Sequence, residues 1–184
     1  MGRVLWITSG VELAGGVRRN TSPSAGHWMD MADLLEGEYV ESPAKWVRDQ
    51  VELYERSGGQ EGWYLQDRKD WPIVVITSKG AKSGKLRKNP VMRVEHDGKY
   101  LAVASKGGAP EHPVWYHNFL ANPVVQLQDG PEPKLYRARL IEDQAEYDEW
   151  WDRAVKVYEP YAEYKPRAEA AGRTIPLFVL EPID

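Results

Sequence analysis

Residues 78–90 read SKGAKSGKLRKNP: two glycines, a lysine directly after the second, and no acidic side chain. Glycine next to lysine is a pattern that holds phosphate, because the backbone can approach closely and the ammonium supplies charge. A Walker A loop is the first form to test. It needs four residues between its glycines, then lysine, then serine or threonine, then a helix. Here only three residues separate Gly80 and Gly84, Leu86 follows Lys85, and a strand-like segment comes next. No hydroxyl is in place to ligate magnesium, no helix dipole faces the anion, and no acidic strand end offers the magnesium-binding partner. The nucleotide-loop form fails, and the charge still needs an explanation.

Lys79, Lys82, Lys85, Arg87, Lys88 and Arg93 fall within fifteen residues, with no acid between Asp70 and Glu95, in a chain of net charge -4. An exposed hairpin edge guarded by lysines gives such a run. Nucleic acid fits poorly, because the island is short, the chain is acidic and no recognition motif accompanies it. A small ligand with a long anionic tail fits best, held by basic side chains and by a glycine-hinged backbone. Other chemistry is sparse. There is no G-x-S-x-G elbow and no H-E-x-x-H, and Ser105-Lys106 lacks an assignable histidine–carboxylate pair. The four histidines include His112 and His117, five apart rather than the four of a helical zinc pair, so no metal is expected. With no cysteine, disulfides, thiolate metal sites and a cysteine nucleophile are excluded. So few acid–base groups point to an enzyme whose cofactor carries the chemistry.

The 184 residues, 42% hydrophobic and 28% charged, make one globular domain with a real core. No apolar run approaches the roughly 20 residues of a membrane span. Eight tryptophans and ten tyrosines against two phenylalanines suit half-buried core positions, or a pocket for a flat or lipid-like ligand. Residues 1–28 read as a disordered extension, with too short an apolar stretch for a signal peptide. A single domain is expected over 29–184, effectively starting at Met29 or Met31.

The elements that must position the basic run follow from period and punctuation. A helix is expected over 43–57, capped by Ser42, opened by Pro43 and stopped at Gly58-Gly59, with Trp46, Val47, Val51 and Tyr54 on one face. IVVIT, 73–77, is a buried strand, and NPVMRVE, 89–95, alternates as a second. Asp97-Gly98 is a hairpin turn into YLAVAS, 100–105. Pro113 opens a short helix that ends at Asn122-Pro123. VVQLQ (124–128) and LYRARLI (135–141) form another hairpin. Helices over 143–158 and 161–171 and a last strand, IPLFVLE, complete the chain. Hairpins dominate and βαβ units are missing, so the class is α+β on a meandering sheet or small barrel, not a doubly wound nucleotide fold.

TSKGAKSGKLRKNPVMRV, VASKGGAPEHPVWYHNFLANP and RTIPLFVLEP, in this order and spacing, resemble the deazaflavin-dependent nitroreductase family, whose members use coenzyme F420. The resemblance runs from about Pro43 to Pro182. It implies a split β-barrel, an antiparallel barrel like that of FMN-binding oxidases, with flanking helices. It further implies that Ala81, Lys82 and Ser83 line the phosphate region of the coenzyme, and that Arg87, Lys88, Asn89, Pro90, Val91 and Met92 continue that wall. Val103, Ala104, Ser105 and Lys106 would run beside the deazaflavin ring. Val114, Trp115, Tyr116, His117 and Asn118 would close the site from a helix. Tyr158, Tyr161 and Tyr164 would border the substrate. Ser105, Tyr161 and Tyr164 are the expected catalytic residues. Two departures stand out. Ala81 replaces an arginine that related members can carry. Met92 replaces a substrate-facing tyrosine of the nitroreductase prototype, which argues against activation of bicyclic nitroimidazoles.

The implied activity is hydride transfer from reduced F420 to a quinone or nitro-type electrophile. The alternatives are an FMN-dependent reductase on the same barrel and a non-catalytic carrier of deazaflavin or another anion. The expected partners are small molecules, not nucleic acid. The expected setting is cytoplasmic, with a weak peripheral membrane contact through the first helix as a secondary option. Oligomeric state is not legible.

Overall fold

The computed structural model describes residues 35–183; the expected extension over 1–28 and the domain's start at 29 lie outside them. Four helices, α1 (Lys45–Arg56), α2 (Val114–Ala121), α3 (Gln144–Val157) and α4 (Tyr161–Ala170), surround eight strands. The strands are β1 (Tyr64–Leu65), β2 (Arg68–Lys79), β3 (Leu86–Met92), β4 (Val94–His96), β5 (Lys99–Val103), β6 (Val124–Gln128), β7 (Pro133–Leu140) and β8 (Leu177–Pro182). Every pairing between these strands is antiparallel, in the order β1-β2-β6-β7-β8-β5-β4, with β3 on the other side of β2, and an isolated parallel bridge joins Tyr39 to Leu86 of β3.

The β-branched run in β2 has no polar alternation because both its faces are buried. Ile73 and Val75 face a core formed under α1, α3 and α4 by side chains such as Tyr54, Trp150, Trp151 and Tyr161. Val74 and Ile76 face a second core with Val125, Leu127, Phe178 and Phe119 of α2. Phe119 is 2% exposed, and truncating such an anchor to alanine costs about 3–5 kcal/mol. The Asp97-Gly98 hairpin forms as expected, with φ of 51° and 73°, both positive as a type I′ turn requires.

The expected strand 89–95 is broken. Arg93 sits between β3 and β4, its N–H donating to the Pro72 carbonyl at 2.8 Å and its Nε to Asp129 at 2.7 Å. These contacts bend the chain. β3 therefore pairs with β2 while β4 pairs with β5, and this closes the sheet into a split barrel. The start of α1 also differs. Its cap is Ala44, and the Ser42 hydroxyl accepts from the Ala44 N–H at 3.2 Å, before the helix begins. Arg48 occupies the carbonyls of Ser42 and Pro43, which holds both residues in the approach to the helix. Val47, Val51 and Tyr54 form its buried stripe, and Trp46, one position off that stripe, is 57% exposed. The two-residue β1 had no sequence signal. No helix among the described residues is long and apolar enough to cross a membrane.

Candidate active site

Val94 pairs with Leu101 and His96 with Lys99. Continued without the bend at Arg93, this antiparallel register would set Met92 against Val103 and Pro90 against Ser105. Instead β3 peels away, and those four residues line a cavity of about 1220 Å³. The cavity is thus the split in the barrel.

The edge of β3 that faces the split has no strand partner among the described residues. Leu86 turns its N–H and C=O away from β2, to Glu38 and Val40. Alternation along an antiparallel strand turns the main chain of Lys88, Pro90 and Met92 the same way. Pro90 is tolerated there because its missing N–H falls on the unpaired side. The Lys88 and Met92 N–H groups are left as donors on that edge.

Half of the basic run is neutralised by the protein itself. Lys85 meets Glu38 at 3.1 Å, Lys88 pairs with Glu55 of α1, and Arg93 with Asp129. Arg87 donates to the carbonyls of Val40 and Glu41, both at 3.2 Å. Lys79, Lys82 and Arg87 have no carboxylate partner among the described residues. The glycine turn also uses its own donors. Gly80 N–H bonds Lys85 O, Gly84 N–H bonds Gly80 O, Lys85 N–H bonds Ser83 Oγ, and Ala81 N–H bonds Asn118 Oδ1 at 3.0 Å. The last bond fixes Asn118, which is 4% exposed, with its amide NH₂ turned from the loop.

After β5 the chain leaves the sheet at Ala104. Ser105 is buried and lines the cavity, and Lys106 follows with φ of 46°, a left-handed conformation unusual for a residue with a side chain. At the junction of α3 and α4, Tyr158 and Tyr164 share a hydroxyl–hydroxyl bond of 3.0 Å. The Tyr161 ring packs edge-on to Tyr158 at 4.9 Å. Burial pushes the hydroxyl pKa values of Tyr158 and Tyr161 up, so both keep their protons at neutral pH. The Tyr161 hydroxyl makes no hydrogen bond among the described residues, and its residue lines the cavity.

Of the anticipated residues, Arg87 to Met92, Val103, Ser105, Lys106, Val114, Trp115, Asn118, Tyr158, Tyr161 and Tyr164 meet at this cavity. Ala81, Lys82 and Ser83 form an exposed turn joined to it through Asn118. Ala104, Tyr116 and His117 do not line it. Ala104 is fully buried, Tyr116 packs into the core around Phe178 and stacks on His112 at 4.1 Å, and His117 is exposed. The helical period of α2 turns these last two away from the face shared by Val114, Trp115 and Asn118. Tyr54, expected on one helix face with Trp46, does not line the cavity with it; it is buried and accepts from the Gly130 N–H at 2.9 Å. Sequence reasoning missed Gln50, Leu65 and Gln66, which complete the wall. A smaller cavity of about 310 Å³ near Trp63 and Asp129 holds none of the anticipated residues. No cluster that could hold a metal ion occurs among the described residues.

Comparison with known proteins fits this geometry. F420H(2)-dependent quinone reductase Rv1261c of Mycobacterium tuberculosis is 41% identical over 61 residues, covering 33% of this chain and 41% of that protein. The chain therefore matches about two fifths of that relative's length. The solved structure of an F420-H2 dependent reductase, FDR-A, is 51% identical with a TM-score of 0.55, covering 60% of this chain and 94% of that one. A chain described as a domain-swapped dimer is 48% identical with a TM-score of 0.57, covering 76% of this chain and all of that one. The family model for F420H(2)-dependent quinone reductase matches residues 46–182. With nearly all the described residues under that one model, the chain belongs to the F420H(2)-dependent quinone reductase family.

Proposed function

We propose that this protein catalyses hydride transfer from reduced coenzyme F420 to a quinone-type acceptor. The observation that carries the reading is the cavity in the barrel split. At about 1220 Å³ it exceeds the roughly 300–1,000 Å³ usual for one drug-sized ligand, and so leaves room for two flat molecules face to face. When bound, the reduced deazaflavin supplies a hydride, and a quinone that takes it together with a proton becomes a quinol.

The chain's own groups suit such a pair. Lys82 and Arg87, with Lys79 behind them, offer charge to a phosphate and an acidic tail. The β3 edge, the Ser105 hydroxyl and the Asn118 amide offer hydrogen bonds to ring carbonyls and nitrogens. Met92 and Val103 give the ring an apolar, water-poor surface. The Tyr161 hydroxyl, protonated and without a partner among the described residues, would donate to an acceptor oxygen as charge develops there. Tyr164 is held by Tyr158 and shapes the acceptor side. With Met92 in the wall, quinones are favoured over bicyclic nitroimidazoles as acceptors. The working site is proposed to be cytoplasmic, and the exposed Trp46 and Val114 at the mouth (57% and 76% exposed) are where a quinone-bearing membrane surface would be touched.

The test mixes pure protein with reduced F420 and menadione and follows oxidation of the coenzyme. Oxidation well above the uncatalysed rate is expected. Tight binding without turnover would make the protein a carrier, and binding of FMN but not F420 would make it a flavin enzyme on the same barrel.

A further inference from the structure

Arg173, just beyond α4, is 7% exposed and has no carboxylate partner among the described residues. A buried cation without a counter-ion is unfavourable unless its donors are well matched. Here they are matched by one loop. Nε donates to Ala109 O at 2.8 Å, Nη1 to Ala104 O at 2.9 Å and Nη2 to Ser105 O at 2.6 Å. Nη1 also meets His112 Nδ1 at 3.1 Å; as the guanidinium can only donate, the imidazole nitrogen accepts.

The loop so clamped is one the chain would not adopt on its own. Lys106, Gly107 and Gly108 run consecutively at φ of 46°, 63° and 78°, and left-handed residues occur singly as a rule. Arg167 of α4 donates to Gly107 O at 3.0 Å. Gly108 lies so close to α4 that a Cβ there would come within 2.7 Å of Tyr164 O. The loop that carries Ser105 and the helix that carries Tyr161 and Tyr164 are therefore held together as one body, with Arg173 bonding the loop across its length.

We infer that Arg173 is a positioning residue for hydride transfer: by holding the carbonyls of Ala104, Ser105 and Ala109 it fixes the Ser105 hydroxyl and Lys106 in the cavity wall. The inference rests on the proposed function for its catalytic consequence. Its structural half, that Arg173 orders the loop, stands independently of any coenzyme.

The test is Arg173→Lys, alone and combined with Ser105→Ala. Lysine keeps the charge but loses the planar fork. Displacing a positioned group by about 1 Å can cost on the order of 10²-fold in rate, so kcat is expected to fall by about that factor, with KM for the reduced coenzyme changed far less. In the Ser105→Ala background the same substitution is expected to cost little more, because both act through one group. Hydrogen exchange without coenzyme is expected to quicken at Gly108 and Ala109, whose N–H groups bond Ser105 O and Lys106 O, while barrel amides stay protected. Unchanged kcat, losses that simply add, or unchanged exchange at 108–109 would each overturn the inference. If Arg173→Lys does not fold, the wild-type protein decides: protected amides at Gly108 and Ala109 support the clamp, and exchange at the rate of an unstructured peptide refutes it. Wild-type protein that neither binds nor oxidises reduced F420 sinks the proposed function, and the exchange arm still decides whether Arg173 orders the loop.

Discussion

Replacing Tyr161 by phenylalanine removes one oxygen atom from the cavity wall and leaves the ring packing in place. Tyr161 is 5% exposed, packs on Trp151 and Tyr158, and its hydroxyl has no protein partner among the described residues. Among the described residues the buried side-chain oxygen without a partner is Ser78 Oγ, so the Tyr161 hydroxyl keeps access to the cavity that its residue lines, and removing it breaks no protein hydrogen bond. The substitution should therefore leave thermal stability unchanged, on a scale of roughly 2–4 °C per kcal/mol for a chain of this size. Activity should fall. Losing one donor aimed at a developing oxyanion costs about 10²–10³ in kcat. Steady-state oxidation of reduced F420 with menadione, read beside a melting curve, measures both. Tyr158→Phe is the comparison: it breaks the 3.0 Å bond to Tyr164 and should lower stability by about 0.5–1.5 kcal/mol with a smaller effect on turnover. An unchanged kcat in Tyr161→Phe would show that Tyr161 only packs. A fall in stability would show that its hydroxyl has a structural partner. Either result refutes the reasoning.

Lys82→Glu with Arg87→Glu should weaken F420 binding by at least a factor of about five, the equivalent of about 1 kcal/mol, and the loss should shrink at high salt, where the Debye length falls to about 3 Å; an unchanged dissociation constant would leave the island as a lysine-guarded edge. Gly108→Ala adds a Cβ at φ of 78° within 2.7 Å of Tyr164 O, so the melting temperature should fall by an amount equivalent to about 1–2 kcal/mol from the left-handed backbone alone, and turnover should fall with it; a silent substitution would show that the loop and α4 are not locked. The His112 pKa is pushed below its ordinary value of 6.5 by burial, then by Arg173 and His117, with Lys106 and Glu111 the other charges beside that loop. A base with a depressed folded pKa binds fewer protons folded than unfolded, so its stability contribution is full above 6.5 and is lost as pH falls through 6.5 toward the lower folded value. Melting temperature should drop across that window in the wild type and less in His112→Gln; equal slopes would refute the assignment.

What was legible in the sequence was local. Five residues of VVQLQ became β6 without a change of boundary, Asp97-Gly98 turned as its dipeptide requires, and the helix expected over 143–158 formed one residue shorter at each end, with Asp143 as its cap rather than its first residue. What was not legible depended on distant partners. NPVMRVE alternates straight through Arg93, and the bend there comes from Pro72 and from Asp129, 36 residues away. The basic run looked uniformly available for an anion, yet Lys85, Lys88 and Arg93 are matched by Glu38, Glu55 and Asp129. Arg173 opens the RTIPLFVLEP motif, but nothing in the local pattern gave it a role, since an arginine after a helix-ending glycine usually faces solvent.

The bend at Arg93 joins these points. By turning β4 toward β5 and β3 toward β2, it closes the barrel and in the same step leaves Pro90 and Met92 apart from Ser105 and Val103. A straight strand would bury the edges of both strands in a ladder and leave no room for a ligand. The anticipated residues on β3 and after β5 therefore meet at a cavity because they are the two sides of one interrupted pairing. That is also why Arg173 is needed. The Ala104 N–H still bonds Pro176 O at the entry to β8, but beyond it nothing in the sheet holds the chain to Ala109, and the carbonyls of Ala104, Ser105 and Ala109 are taken by a guanidinium instead.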